Sequence, residues 1–158
     1  MPHNVTRILC LITGDMVSRR AEDWAVFLAK HMGAKIEFFH VVDDEFLDGL
    51  PTPIDMHREV DDELDHLTRT TTSKLKKKLR GTGVAYEIIV RHGSSETEIV
   101  KECKERKPDL IIMPYEPRGM LGFLLTKGIG HGRVIDDACC PVLVVKGEPD
   151  ACSWDTTG

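Results

Sequence analysis

The chain has 158 residues, a net charge of -5, 41% hydrophobic residues and 30% charged residues. That length suits one domain able to bury roughly two thirds of its unfolded surface, so no staples are required. The acidic balance excludes a general nucleic-acid binder, which needs a basic footprint, and every apolar run falls far short of the ~20 residues that span a bilayer. The opening "MPHNVTR" lacks the apolar stretch of a signal peptide, so a cytoplasmic protein is expected. The five cysteines include no CxxC pair. They are expected to be reduced, mostly buried thiols that form neither a zinc site nor a disulfide framework.

In chain order, "TRILCLI" (Thr6 to Ile12) is a short, nearly continuous apolar run, the pattern of a strand covered on both faces. Ala21, Trp24, Ala25, Leu28 and Met32 then recur at helical spacing, with Ser18 as the expected N-cap and Gly33 as the stop. "AKIEFFHVV" (Ala34 to Val42) is a second strand, and the acidic, proline-bearing 43–55 a loop. A long helix is expected from about Met56 to Arg80, with Val60, Leu64, Leu67, Thr71, Leu75 and Leu79 on one stripe. Its acidic first half and basic second half complement the helix dipole. After "GTG" comes a third strand, Val84 to Arg91, then a helix opened by Ser95 and Glu98 at capping-box spacing. "PDLIIMP" and "CCPVLVVK" are the fourth and fifth strands. Between them lie a glycine-rich segment and a short helix ending near Ala138.

This alternation predicts an α/β fold: an open, doubly wound five-stranded parallel sheet with helices on both faces and right-handed crossovers. Residues 1–147 would form that domain and 148–158 a polar tail. Ligands on such sheets sit beyond the carboxyl ends of the strands. The segments to search are therefore Thr13 to Asp15, Val41 to Asp44, Arg91 to Ser95 and Pro114 to Gly132.

Three stretches carry a family resemblance over about Val5 to Lys146: "RILCLITGDMVSRRAEDWAVFLAKHMGAKIEFFHVV", "RHGSSETEIVKECKERKPDLIIM" and "GIGHGRVIDDACCPVLVVK". In these the chain resembles the universal stress protein family. The resemblance implies the adenine-nucleotide α-hydrolase-like fold, a stress-response or regulatory role, and a homodimer formed through the last strand, here Pro141 to Lys146. It also implies ATP or AMP as ligand in many members, usually with a divalent ion such as magnesium, and at most slow ATP turnover. Other members bind no nucleotide. Binding members end the first strand with an acidic residue and carry G-x2-G-x9-G-[ST] after the fourth.

Here the acidic position falls on Thr13, with Asp15 two residues on. Thr13 can hydrogen-bond a base or ribose without carrying charge. Val41 or Val42 would supply the apolar wall for adenine. In one register Gly119, Gly122 and Gly132 match the glycine spacing, but Arg133 replaces the hydroxyl residue. In the other, counted back from Pro141, Gly128 begins the last helix, Ile129 follows it, and Tyr115 and Arg118 occupy the first two glycine positions. The second register leaves the final helix its full length. Arg118 would then grip phosphate through its guanidinium, with Gly128, Ile129 and Gly130 presenting backbone N–H groups at the helix start. Lys127, His131 and Arg133 add positive charge. The alternative is a non-nucleotide dimeric interaction protein whose segment 114–132 serves a partner or another anion.

No catalytic residue is assigned. His92, beside Gly93 and Ser94, is near the expected cleft. His40, inside a strand, reads as a core histidine. Asp43, Asp44 and Glu45 with Asp15 could form a hard oxygen site for magnesium, whereas Asp62, Asp65 and His66 read as a solvated helix face. No GxSxG elbow occurs.

Overall fold

The computed structural model describes residues 4–13, 16–42, 54–115 and 131–146. In chain order these form β1 (Arg7–Leu11), α1 (Met16–Met32), β2 (Lys35–Val42), α2 (Ile54–Leu79), β3 (Tyr86–His92), α3 (Ser95–Arg106), β4 (Leu110–Pro114), α4 (His131–Asp137) and β5 (Val142–Val145). All strand pairs are parallel and the sheet order is β3-β2-β1-β4-β5. The predicted α/β architecture is therefore what folds.

The continuous apolar runs follow from this topology. A central strand covered on both faces has no side that water can reach. In β1, Ile8, Leu9 and Cys10 are fully buried, and alternation sends them to opposite faces. Ile8, Cys10, Ile36, Phe38 and Ile112 meet Ala21, Ala25 and Ala29 of α1 and Leu75 and Leu79 of α2. Leu9, Leu11, Phe39, Ile111 and Met113 meet Ile99 and Cys103 of α3 and Val134 of α4. The alanines, four residues apart, line one face of α1 and let it lie close to the sheet.

Local signals held at some helix ends and shifted at others. Gly33 ends α1 at φ 68°, a conformation that glycine adopts without strain, while the amide of Ala34 bonds the Ala29 carbonyl at 3.1 Å. Ser18 is not an N-cap: α1 already runs from Met16, and Ser18 is fully buried within it. The cap of α3 is Ser94 rather than Ser95, and its side chain makes no capping bond; the backbone amide of Glu98 bonds the Ser94 carbonyl at 2.9 Å. The stripe along α2 is buried only in its second half. Thr71, Leu75 and Leu79 are covered, whereas Leu67 is 42% exposed, because the helix packs on the sheet through its C-terminal turns.

The amino end of the sheet carries an ion network. Arg106 lies 3.4 Å from Glu37, 3.2 Å from Glu87 and 2.5 Å from Glu102. Glu37 also meets Arg7 at 3.6 Å, and Glu102 meets Arg91 at 3.5 Å. Nearby, Asp109 accepts bonds from the Thr6 amide and hydroxyl and the Arg7 amide, at 2.8, 2.9 and 3.0 Å. These donors hold its carboxyl below the usual carboxylate range. The network ties α3 to the starts of β1, β2 and β3 and, through Arg91, to the carboxyl end of β3.

Candidate functional site

β1 pairs with β2 on one side and β4 on the other. α1, which follows β1, packs on one face of the sheet, and α4, which follows β4, packs on the other. The carboxyl ends of β1 and β4 are thus the switch point at which open α/β sheets bind ligands. A shallow pocket lies beside this point. It is lined by Leu11, Ile12 and Thr13 from β1 and its exit, Phe39 and Val41 from β2, and Ser95 and Ile99 from α3.

Two of the expected site residues meet here. Val41 contributes apolar wall, and Thr13 stands at the polar side. The Thr13 hydroxyl oxygen is buried and has no hydrogen-bond partner among the described residues. A buried hydroxyl without a partner costs about 1–3 kcal/mol, so such groups normally find one. Val42, which alternates to the other face, is 4% exposed core, and its carbonyl accepts the Gly93 amide at 3.1 Å. Asp15, Arg118, Gly119, Gly122, Gly128, Ile129 and Gly130 lie outside the described residues, as do Asp43, Asp44 and Glu45.

His40 is buried, as a core histidine should be, and from the face opposite the pocket it holds the backbone of Ile12. Nδ1 donates to the Ile12 carbonyl at 3.0 Å, and the Thr68 hydroxyl donates to Nε2 at 3.4 Å. Burial pulls its pKa below the usual histidine value, so the ring stays neutral and keeps this tautomer. Thr13 is thereby placed next to a carbonyl held from β2. The period-two pattern marked His40 as inward; nothing in the sequence indicated that Ile12 would be its partner.

The charged and aromatic residues named around the glycine segment are partly occupied elsewhere. Arg133 meets Glu96 at 3.4 Å and Asp137 at 3.7 Å. The Tyr115 amide bonds the Val145 carbonyl at 2.8 Å, and the Lys146 ammonium lies 5.6 Å from the centre of the Tyr115 ring. His92 ends β3 in an exposed position. Asp65 pairs with Arg69 at 3.9 Å, and Asp62, Asp65 and His66 all lie on the exposed side of α2.

The described cysteines are free thiols, as expected, and the fold brings three of them together. Cys103 of α3 meets Cys139 and Cys140, in the turn between α4 and β5, with all three sulfur atoms within 4.8 Å of one another. A search for CxxC spacing could not find this group, because one member is 36 residues away along the chain. Burial raises the Cys103 thiol above its usual pKa and pushes Cys140 up to about 12.

The model of the universal stress protein family matches residues 4–146. A universal stress protein of Methanocaldococcus jannaschii is 31% identical over 140 residues, covering 89% of this chain and 81% of the relative. Among solved structures, the universal stress protein UspA from Lactobacillus plantarum superposes with a TM-score of 0.71 at 18% identity, covering 91% of this chain and 99% of that one. A universal stress protein family protein from Arabidopsis thaliana, with AMP bound, superposes with a TM-score of 0.63 at 18% identity, covering 95% and 97% of the two chains. By the span of the family match and the identity to the archaeal relative, this chain belongs to the universal stress protein family.

Proposed function

We propose that the chain is a stress-response regulatory protein that holds an adenine nucleotide, ATP or AMP, at the carboxyl ends of β1 and β4 and does little chemistry on it. The observation that carries this reading is the buried Thr13 hydroxyl, without a partner among the described residues, at the edge of an apolar pocket. A purine or ribose fits that pairing. Its flat face would lie on Val41 and Ile99, and one of its polar edges would satisfy Thr13. The hydroxyl can donate or accept, so it replaces the acidic residue of the family motif without bringing negative charge toward phosphate. The Arabidopsis protein of the same fold has AMP bound. In this reading Arg118 and the amides of Gly128, Ile129 and Gly130 take the phosphates, and magnesium accompanies ATP.

The test is thermal unfolding with and without millimolar Mg-ATP, Mg-AMP and plain phosphate. A ligand at a hundred times its dissociation constant stabilises by about 2.7 kcal/mol, which raises the midpoint by roughly 5–10 °C. That rise, diminished in both Thr13→Val and Arg118→Ala, is the expected result. No shift with any nucleotide removes the reading and leaves the segment 114–132 to a protein partner or another anion.

The homodimer belongs to the same proposal. β5 closes one end of the sheet order and pairs only with β4 among the described residues. Its Val142, Leu143 and Val144 are half-buried. An apolar edge strand of this kind pairs readily with another copy of itself. Sedimentation at micromolar concentration should give twice the chain mass; a monomer rejects the dimer.

A further inference from the structure

We infer that Cys103, Cys139 and Cys140 form a binding site for one thiophilic d10 metal ion, copper(I) or zinc(II), separate from the nucleotide pocket. Three observations carry this. The sulfur atoms converge within 4.8 Å of one another, from a helix and from a turn on a different segment. Metal–sulfur bonds of about 2.3 Å place sulfur atoms roughly 3.7–4.0 Å apart, inside that radius. Cys103 and Cys139 now lie at 2.6 Å, so binding would part them by about 1.2 Å, a step open to Cys139 in its exposed turn.

The second observation is the setting. Cys103 is fixed on α3 and buried against Val134, and Cys140 packs against the same cluster as Ala138 and Val142. That supplies the dry, ordered shell that makes a metal site selective. Cys139, at the surface, supplies the way in. The third observation is the donor set. It is all sulfur, which selects soft ions over magnesium or calcium. Three thiolates complete a trigonal copper(I) site; zinc(II) takes the same three and keeps one position for water. The site sits two turns along α3 from Ser95, so occupancy there neither needs nor blocks a nucleotide.

The experiment uses the full chain, reduced with a phosphine, freed of metal and confirmed to have all five thiols free. Zinc(II) is titrated against a chromophoric chelator, copper(I) against a copper(I)-specific chelator, and cobalt(II) serves as a spectroscopic stand-in for zinc. One ion per chain is expected, with sulfur-to-cobalt charge-transfer absorption and the loss of three thiols from reaction with a thiol reagent. Tighter copper(I) than zinc(II) retention assigns the trigonal ion, and the reverse assigns zinc. Cys139→Ser and Cys140→Ser should each weaken binding at least tenfold, a loss that even supporting groups around a ligand can produce. Cys152→Ser should bind as the unaltered chain does. Since Cys139 is exposed, its variant should keep the fold, which circular dichroism checks. Three results overturn the site: no stoichiometric ion in the reduced chain, binding that survives Cys139→Ser, or a chain that binds nothing and instead forms a Cys103–Cys139 disulfide in air.

Discussion

Removing the Arg106 guanidinium tests how the structure tolerates two buried carboxylates on neighbouring elements. Glu37 and Glu102 each expose only 2% of their side chains, and Arg106 contacts both, at 3.4 and 2.5 Å. Breaking a buried ion pair from one side costs about 3–5 kcal/mol, mostly because a charge is left without compensation. In Arg106→Ala the compensation is only partly lost. Arg7 stays 3.6 Å from Glu37, and Arg91 stays 3.5 Å from Glu102. The third partner, Glu87, is 41% exposed and adds at most about 1 kcal/mol. We therefore expect a loss of about 2–3 kcal/mol, below the range for a lone pair. Urea unfolding at neutral pH, with an unchanged m value, reads it directly. The double-mutant cycle gives the sharper result: Glu37→Gln should be markedly less harmful in the Arg106→Ala background than alone, because the orphaned charge is then removed. Salt should change the effect little, since buried pairs are weakly screened. A loss under about 0.5 kcal/mol, or strict additivity in the cycle, would refute the idea that Arg106 neutralises these carboxylates.

Asp109 has a folded pKa below its unfolded value, so its contribution is complete above the unfolded carboxylate range, about pH 4, and is lost as pH falls through the lower folded value. Asp109→Asn should flatten the acid limb of a stability–pH curve; an unchanged limb would show that the Thr6 and Arg7 contacts contribute nothing. His40 is neutral and buried, so the unfolded chain takes up its proton first as pH drops below about 6.5. Stability should decline between pH 7 and pH 5 in the unaltered chain and lose that slope in His40→Leu, as followed by denaturant midpoints. Thr13→Val should leave the apo protein as stable or slightly more so, because a buried unmet hydroxyl disappears, while weakening adenine nucleotide by about 1 kcal/mol, roughly fivefold. Isothermal titration checks this, and equal affinities for the two chains would remove Thr13 from the site.

The elements were legible before any coordinates because they rest on local rules. The unbroken apolar run of β1, the stripe over Thr71, Leu75 and Leu79, and the stop at Gly33 each depend on neighbours within a few positions. The alternation of these elements leaves few topologies, and the strand-end rule together with the family resemblance named Thr13 and Val41 or Val42 as candidates without a structure. Helix ends were less legible: Ser18 and Ser95 have the chemistry of caps, but the helices begin at Met16 and at the residue after Ser94, because packing on the sheet decided where each turn starts.

Tertiary structure alone decided what meets across the crossovers. Arg106 joins Glu37 from 69 residues away, and Cys103 joins Cys139 from 36 away. No periodicity encodes such separations. They follow from the register of the parallel strands and the side of the sheet on which each helix lands. The same holds for His40, whose inward direction follows from alternation along β2. Its bond to the Ile12 carbonyl exists only because β1 and β2 are aligned as Leu11 with Phe39. Local sequence set the pieces; strand register set which side chains meet.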